Sequence, residues 1–186
     1  KEFLKNHIPG SIYIDLDNLS EIKSSFPHML PNKEKFEIFM RNCGVKNNSK
    51  IVVYDTSGIW SSPRLWWMLK YFGFNDVFIL NGGLKKWKFE KRKMSKKLKK
   101  IKYGNFKSKI NKNNLSKIES VHNNLFSKKT KIIDARNDKR FNGTEKEPRK
   151  NLRTGHVPSS LNLFWKKIIN KDGTIKKNKE IEILLN

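Results

Sequence analysis

With 36% hydrophobic residues, among them twelve Phe and five Trp, 186 residues suffice to bury a core, and no apolar run exceeds a few residues; wholesale disorder and a membrane-spanning helix are both excluded. The net charge of +24 rests on 34 lysines against 7 arginines, spread along the chain with many asparagines, which reads as compositional bias rather than a phosphate-binding footprint, so nucleic acid is not expected as a partner. One cysteine excludes an intramolecular disulfide and suits a reducing, cytoplasmic setting.

In chain order, Asn32 to Cys43 is predicted helical, with Phe36, Phe39 and Met40 on one face and Gly44 as its stop. The β-branched run Ile51 to Tyr54 predicts a strand buried on both faces. Pro63 opens the next helix, through Leu65, Trp66, Met68, Leu69 and Phe72, and Gly73 ends it. Val77 to Leu80 is a second buried strand, closed by Asn81-Gly82-Gly83, and Leu84 to Trp87 begins a short helix. Lys91 to Lys112 holds eleven basic residues and no acid, the pattern of a solvated, self-repelling linker. Ser116 to Phe126 is a helix with Ile118, Val121, Leu125 and Phe126 roughly on one face; Ile132 to Ala135 is the strand after it; Asn178 to Leu185 starts a last helix. Alternation of strand and helix at this spacing predicts an α/β fold with a largely parallel sheet flanked by helices.

One phrase occurs twice: His7-Ile8-Pro9-Gly10-Ser11-Ile12 returns 149 residues later as His156-Val157-Pro158-Ser159-Ser160-Leu161. That period is too long for a solenoid unit and fits two copies of one domain. Copy one carries its strand Ile51–Asp55 at an offset that, counted from His156, falls near position 200. Copy two carries Ile132–Asp134 at an offset that, counted from His7, falls before Lys1. Both copies are therefore expected to be truncated here: residues 1–90 a first domain, 91–113 a basic linker, and 114–186 the leading part of a second domain.

The phrases, taken together and in order, resemble the two-domain rhodanese family, and within it the mercaptopyruvate sulfurtransferases. They are His7-Ile8-Pro9-Gly10, Asp15-Leu16-Asp17, Pro27-His28-Met29-Leu30-Pro31, Val52-Val53-Tyr54-Asp55, Arg64-Leu65-Trp66-Trp67-Met68 and Leu80-Asn81-Gly82-Gly83-Leu84-Lys85-Lys86-Trp87 in copy one. Copy two adds Asp134-Ala135-Arg136, the run Arg140 to Arg149, and Gly155-His156-Val157-Pro158. The resemblance implies tandem rhodanese-like domains and transfer of sulfane sulfur from a small-molecule donor to a thiol or thioredoxin through a cysteine persulfide. It implies no metal or organic cofactor. The persulfide cysteine is expected on a loop near position 200, so these 186 residues alone are expected to be inactive with either mercaptopyruvate or thiosulfate. Cys43, at a helix end before Gly44, reads instead as a small buried apolar group. In copy one Asp55 stands at the nucleophile position, and a carboxylate cannot form a persulfide, so that copy is expected to be noncatalytic.

The same resemblance assigns Asp17 and His28 to a hydrogen-bonded catalytic relay in which a carboxylate orients an imidazole and the imidazole polarises a hydroxyl. Asp15 is the nearest rival to Asp17, and the bland reading of His28 is packing beside Pro27 and Pro31. Arg140 and Arg149 match the family's substrate arginines, whose guanidinium groups can grip a planar carboxylate through paired hydrogen bonds; the bland reading is weak surface pairing with Glu145 and Glu147. Arg136 is expected to brace Asp134 or the cleft wall, His7 and His156 to stabilise equivalent turns, and His122 to face solvent. Four scattered histidines and one isolated cysteine give no zinc site. Two further readings stand beside the enzyme: a noncatalytic rhodanese-like binding scaffold, and nucleic-acid binding through the basic linker.

Overall fold

The computed structural model describes residues 2–22, 24, 26–149 and 152–185, and the chain divides into two compact units, Lys1–Leu115 and Ser116–Asn186. In the first unit the order is α1 (Glu2–Lys5), α2 (Leu16–Leu19), α3 (Lys33–Asn42), β1 (Ile51–Val53), α4 (Ser62–Tyr71), β2 (Val77–Ile79) and α5 (Gly83–Phe89). Local chemistry sets the boundaries. Asn32 caps α3 by accepting the Lys35 N–H at 2.8 Å. Past its end the Val45 N–H reaches the Met40 carbonyl at 3.0 Å and Gly44 N–H the Arg41 carbonyl at 2.9 Å, with Gly44 at φ 75°. These are the paired bonds of a glycine-terminated helix. Helix α4 ends the same way at Gly73, with Phe74 N–H on Leu69 and Gly73 N–H on Lys70.

Strands β1 and β2 pair in parallel, Ile51 opposite Val77 and Val53 opposite Ile79. The parallel connection is made by α4, which packs on both strands. Phe36, Met40, Met68, Leu69 and Phe72 bury one face of this sheet together with Val53 and Val77. Phe36 and Phe72 stack with centroids 3.9 Å apart. Each such side chain stabilises the fold by about 2–3 kcal/mol through burial. The other face differs from the sequence expectation: Val52 is 58% and Phe78 50% exposed, so among the described residues the strands are covered on one side. The segment 12–14 has no regular secondary structure and forms no ladder with a described strand. It lines, with Val52 and Tyr54, a cavity of about 780 Å³.

The basic stretch 91–113 is not a free linker. Its lysines are exposed as expected, yet its backbone is bonded along the first unit from Ser95 to Asn111. Ser95 exchanges both backbone bonds with His7, at 2.8 and 2.9 Å. Gly104 N–H meets the Arg41 carbonyl, and the strap passes so close to Val45 that a Cβ on Gly104 would fall 2.0 Å from the Val45 carbonyl oxygen. Phe106, only 2% exposed, enters the core against Phe36 and Phe74, and Lys109 and Asn111 donate to Phe72 and Tyr71. Hydrophobic anchoring by one aromatic and a row of backbone bonds outweigh lysine repulsion, which water and salt screen at exposed sites.

The second unit runs α6 (Ile118–Ser127), β3 (Ile132–Asp134), α7 (Asp138–Phe141), β4 (Ser160–Asn162) and α8 (Asn178–Leu185). Strands β3 and β4 are parallel, Ile132 opposite Ser160. No hydrophobic side chain of this unit is fully buried among the described residues, and the expected apolar face of α6 leaves Ile118 79% and Phe126 77% exposed.

The duplicated phrase folds the same way twice. Pro9-Gly10 and Pro158-Ser159 each place a left-handed residue after proline, at φ 77° and 64°. Ser11 and Ser160 each donate N–H and hydroxyl to the carbonyl three residues back, Ile8 and Val157. That is the proline-then-positive-φ order of a type II turn. His7 and His156 brace these turns alike: each Nδ1 donates to a phenylalanine carbonyl, Phe3 at 2.8 Å and Phe141 at 2.7 Å, and each ring stacks on that same phenylalanine. By this equivalence Glu2, just before Phe3, occupies in copy one the place Arg140 occupies before Phe141 in copy two.

Candidate functional site

In the first unit, Asp17 and His28 are brought together. His28 Nδ1 lies 3.2 Å from Asp17 Oδ1, with the two side chains 51% and 80% exposed. The rival Asp15 has another task. Its Oδ1 accepts the N–H groups of Asp17 and Asn18 and caps α2, which turns the carboxylate of Asp17 outward to the histidine. His28 follows Pro27 and holds φ 59°, a left-handed backbone that costs a histidine about 1–2 kcal/mol. Its carbonyl accepts from Arg64 Nη2, and the Arg64 guanidinium lies 4.7 Å above the Trp67 ring. A carboxylate on Nδ1 leaves Nε2 as the free basic nitrogen, the arrangement of a proton relay. His28→Gly is therefore expected to hold or raise the unfolding free energy, by up to about 1 kcal/mol, while deleting the imidazole. Chemical denaturation measures the stability; a loss above about 1 kcal/mol would show that His28 is there for packing.

The loop after β1 is built around Asp55. Its Oδ2 accepts the N–H groups of Trp60, Ser61 and Ser62 at 2.8–2.9 Å and the Ser62 hydroxyl at 2.9 Å, and Oδ1 accepts the Ser57 N–H at 2.9 Å. Ser61, the residue before α4, makes no side-chain cap. Asp55 supplies that cap from six residues upstream, at the positive end of the helix. Burial by itself would push its carboxyl up; the Ser62, Trp60 and Ser61 donors outweigh burial and hold it below the usual carboxylate range. The Gly82-Gly83 corner lets α5 start against this loop, since a Cβ on Gly83 would lie 2.4 Å from the Gly58 carbonyl oxygen. The loop is thus an anion cradle filled by the chain's own carboxylate.

In the second unit, Asp134, Arg136, Arg140 and Glu147 form one network. Arg136 straddles Asp134 through Nε and Nη2, and spends its remaining reach on Glu147 Oε1 at 2.7 Å and the Gly155 carbonyl at 2.8 Å. It braces Asp134, as expected. Arg140 meets Glu147 side-on, Nε to Oε1 at 3.2 Å and Nη2 to Oε2 at 2.5 Å. The Glu147 side chain is only 4% exposed, so this is a buried clamp and not the weak surface pair that the sequence offered as the alternative. The Arg140 hydrogen bonds, ahead of the charge of Arg136, hold the Glu147 carboxyl below its ordinary range. A guanidinium has two bidentate edges. Glu147 takes the Nε/Nη2 edge of Arg140; the Nη1/Nη2 edge has no acceptor among the described residues. Arg149 is exposed and has no ion-pair partner among the described residues.

The remaining expectations resolve plainly. Cys43 is the C-terminal cap residue of α3, and burial pushes its thiol up to about 11, the reverse of what a nucleophilic thiolate needs. His122 is exposed against Phe126. Trp66 and Trp67 pack α4 and donate to the carbonyls of Val77 and Asn114. Among the described residues no group of acids, histidines or cysteine could hold a metal ion, and no helix is long and apolar enough to cross a membrane. Glu147 and Arg64 are the two residues that sequence reading undervalued. Two arginines four apart, Arg136 and Arg140, were the available signal that a shared counter-charge must lie nearby.

Comparison with known proteins identifies the family and the fold. The rhodanese-like domain model matches residues 1–90. The chain is 36% identical over 184 residues to the 3-mercaptopyruvate sulfurtransferase of Escherichia coli, covering 99% of this chain and 65% of that protein. It is 32% identical over 187 residues to the thiosulfate sulfurtransferase of Rattus norvegicus, covering 63% of it. The chain thus spans about two-thirds of the length of these relatives. The crystal structure of SseA from Escherichia coli, a 3-mercaptopyruvate sulfurtransferase, superposes with a TM-score of 0.89 at 35% identity, covering 98% of this chain and 68% of that one. Its fold is the α/β rhodanese fold, with parallel strands and flanking helices. On identity, coverage and fold together, this chain belongs to the rhodanese family.

Proposed function

We propose that the protein is a sulfurtransferase whose preferred donor is 3-mercaptopyruvate rather than thiosulfate. The open edge of Arg140 is the observation that carries this reading. A planar α-oxo carboxylate fits the Nη1/Nη2 edge that Glu147 leaves free, and Arg149 adds a second positive charge with no partner of its own among the described residues. The reactive thiol is proposed to stand on a loop outside these residues, since Cys43 is half-buried with its thiol pushed up to about 11. Its thiolate attacks the donor sulfur, the carbon–sulfur bond breaks, and the electron pair stays on carbon as pyruvate enolate, which takes a proton. The cysteine is left as a persulfide, whose outer sulfur then passes to a thiol acceptor such as thioredoxin. The Asp17–His28 pair has the chemistry to polarise the hydroxyl or water that handles that proton. Copy one is proposed to be noncatalytic, with Asp55 in the cradle and Glu2 where an arginine would be needed.

The test is donor selectivity in a protein that carries the catalytic cysteine. Arg149→Ala is expected to lower kcat/KM for mercaptopyruvate by about 10-fold or more, the worth of one charge-assisted hydrogen bond. The loss with thiosulfate, a smaller anion, should be at most about 3-fold. Equal loss for both donors would reject the assignment of Arg149 to the carboxylate.

A further inference from the structure

We propose that Arg64 is the positioning residue of the Asp17–His28 pair: it holds the His28 carbonyl so that a strained turn keeps the imidazole on Asp17. The inference rests on reading that pair as functional, and extends it to a residue on a different element. Two features of Arg64 are unfavourable taken singly. Burial pushes its guanidinium below the ordinary arginine value. Its Nε is buried without an acceptor among the described residues.

What these costs secure is visible in the geometry. The guanidinium plane is fixed over Trp67, one helical turn on, and one Nη2–H is delivered to the His28 carbonyl, 36 residues away in sequence. His28 is the one residue of the Pro27 turn with a left-handed backbone, and glycine would take that conformation without strain. A side chain half exposed to water offers little packing to hold it there. A tether on its carbonyl does, and it fixes the direction in which the imidazole leaves the turn. Strain that recurs at a side chain facing a carboxylate is the pattern of a functional constraint.

The experiment reads the imidazole tautomer in this 186-residue chain, labelled with nitrogen-15 at histidine, at a pH where the ring is neutral. Held on Asp17, His28 is expected as the Nδ1–H form; a free imidazole prefers the Nε2–H form. Arg64→Met keeps the apolar stem and removes every donor, and Arg64→Gln is too short to reach both Trp67 and the carbonyl. Either variant, shown folded by its amide spectrum, is expected to lose the Nδ1–H signature of His28 while His156 keeps its own. A folded variant of either kind that retains it overturns the proposal. Asp17→Ala separates the two layers: if it leaves the His28 tautomer unchanged, the pair itself fails and Arg64 has nothing to position. If it shifts the tautomer and the Arg64 variants do not, only the role of Arg64 fails.

Discussion

Asp55→Ala is expected to cost the first unit about 3 kcal/mol of unfolding free energy near neutral pH. The carboxylate accepts five hydrogen bonds, four of them on Oδ2 alone, and among the described residues it is the side chain that caps α4, since Ser61 does not. Counted separately at about 1 kcal/mol each, these would exceed that figure, but part of the loop is open to water, which can replace some donors' partner. Asp55→Asn keeps an acceptor and loses the charge, so about half the loss is expected. The pH dependence gives the sharper check. The folded-state carboxyl lies below its unfolded value of about 3.9, so the unfolded chain binds the proton first as pH falls. The Asp55 contribution is therefore complete above that value and drains away as pH drops through the folded one. Urea unfolding followed by the fluorescence of Trp60, Trp66, Trp67 and Trp87 should show the gap between wild type and Asp55→Ala narrowing in acid. A gap of the same size at pH 7 and pH 3 would mean that shape, not charge, makes Asp55 matter.

What was legible in the sequence was punctuation. Asn32, Gly44, Pro63 and Gly73 act within one helical turn, so their effect can be read from adjacent residues, and all four stand where expected. The repeat was legible for the same reason: a His-x-Pro-x-Ser phrase encodes a turn and its brace in five residues. Contacts at long range were not. Phe106 is one aromatic in a lysine-dense stretch, and nothing local says that it enters a core made by Phe36 and Phe74. Composition described the strap's side chains correctly and its backbone wrongly. The runs Ile51 to Tyr54 and Val77 to Leu80 are apolar at every position, which reads as burial on two faces; Val52 and Phe78 are exposed, so among the described residues one face alone is covered.

The candidate site divides in the same way. The family resemblance, not residue pattern alone, singled out Asp17, His28, Arg140 and Arg149, and preferred Asp17 with Asp15 as its rival. In the structure Asp15 is occupied as the cap of α2 while Asp17 faces His28. Sequence also saw Asp55 only as the wrong nucleophile. That it fills an anion cradle depends on Trp60, Ser61 and Ser62 curling back onto it, a loop geometry that no residue pattern states. The role of Glu147 was hidden because a carboxylate near two arginines on paper can be a solvent-screened pair or a buried clamp, and these differ several-fold in energy.

Glu147→Ala measures that difference in the second unit. Removing a carboxylate with a 4% exposed side chain takes from Arg136 and Arg140, themselves about three-quarters covered, the counter-charge they share. Asp134 still neutralises Arg136, so the expected loss is about 2–3 kcal/mol rather than the full cost of a broken buried pair. Trp165 is the single tryptophan after residue 115, and its fluorescence in urea reports this unit. The clamp makes a second, separable claim. Arg140→Ala should cost less than Glu147→Ala, because it removes a cation that Glu147 can still replace with Arg136, whereas the converse change strands Arg140 and leaves Arg136 with Asp134 alone. The double variant should then fall short of the sum of the singles by about 1–2 kcal/mol. Protonation gives the same ordering by another route. The folded Glu147 carboxyl is held down chiefly by its Arg140 hydrogen bonds, so its stabilisation is whole above about pH 4.3 and is lost as pH falls through the folded value. In Arg140→Ala that loss should begin at higher pH than in wild type. Additive single and double variants, with no change in the acid limb, would show that Arg140 is free of Glu147 in solution, and the open edge that marks it as a carboxylate-binding arginine would lose its basis.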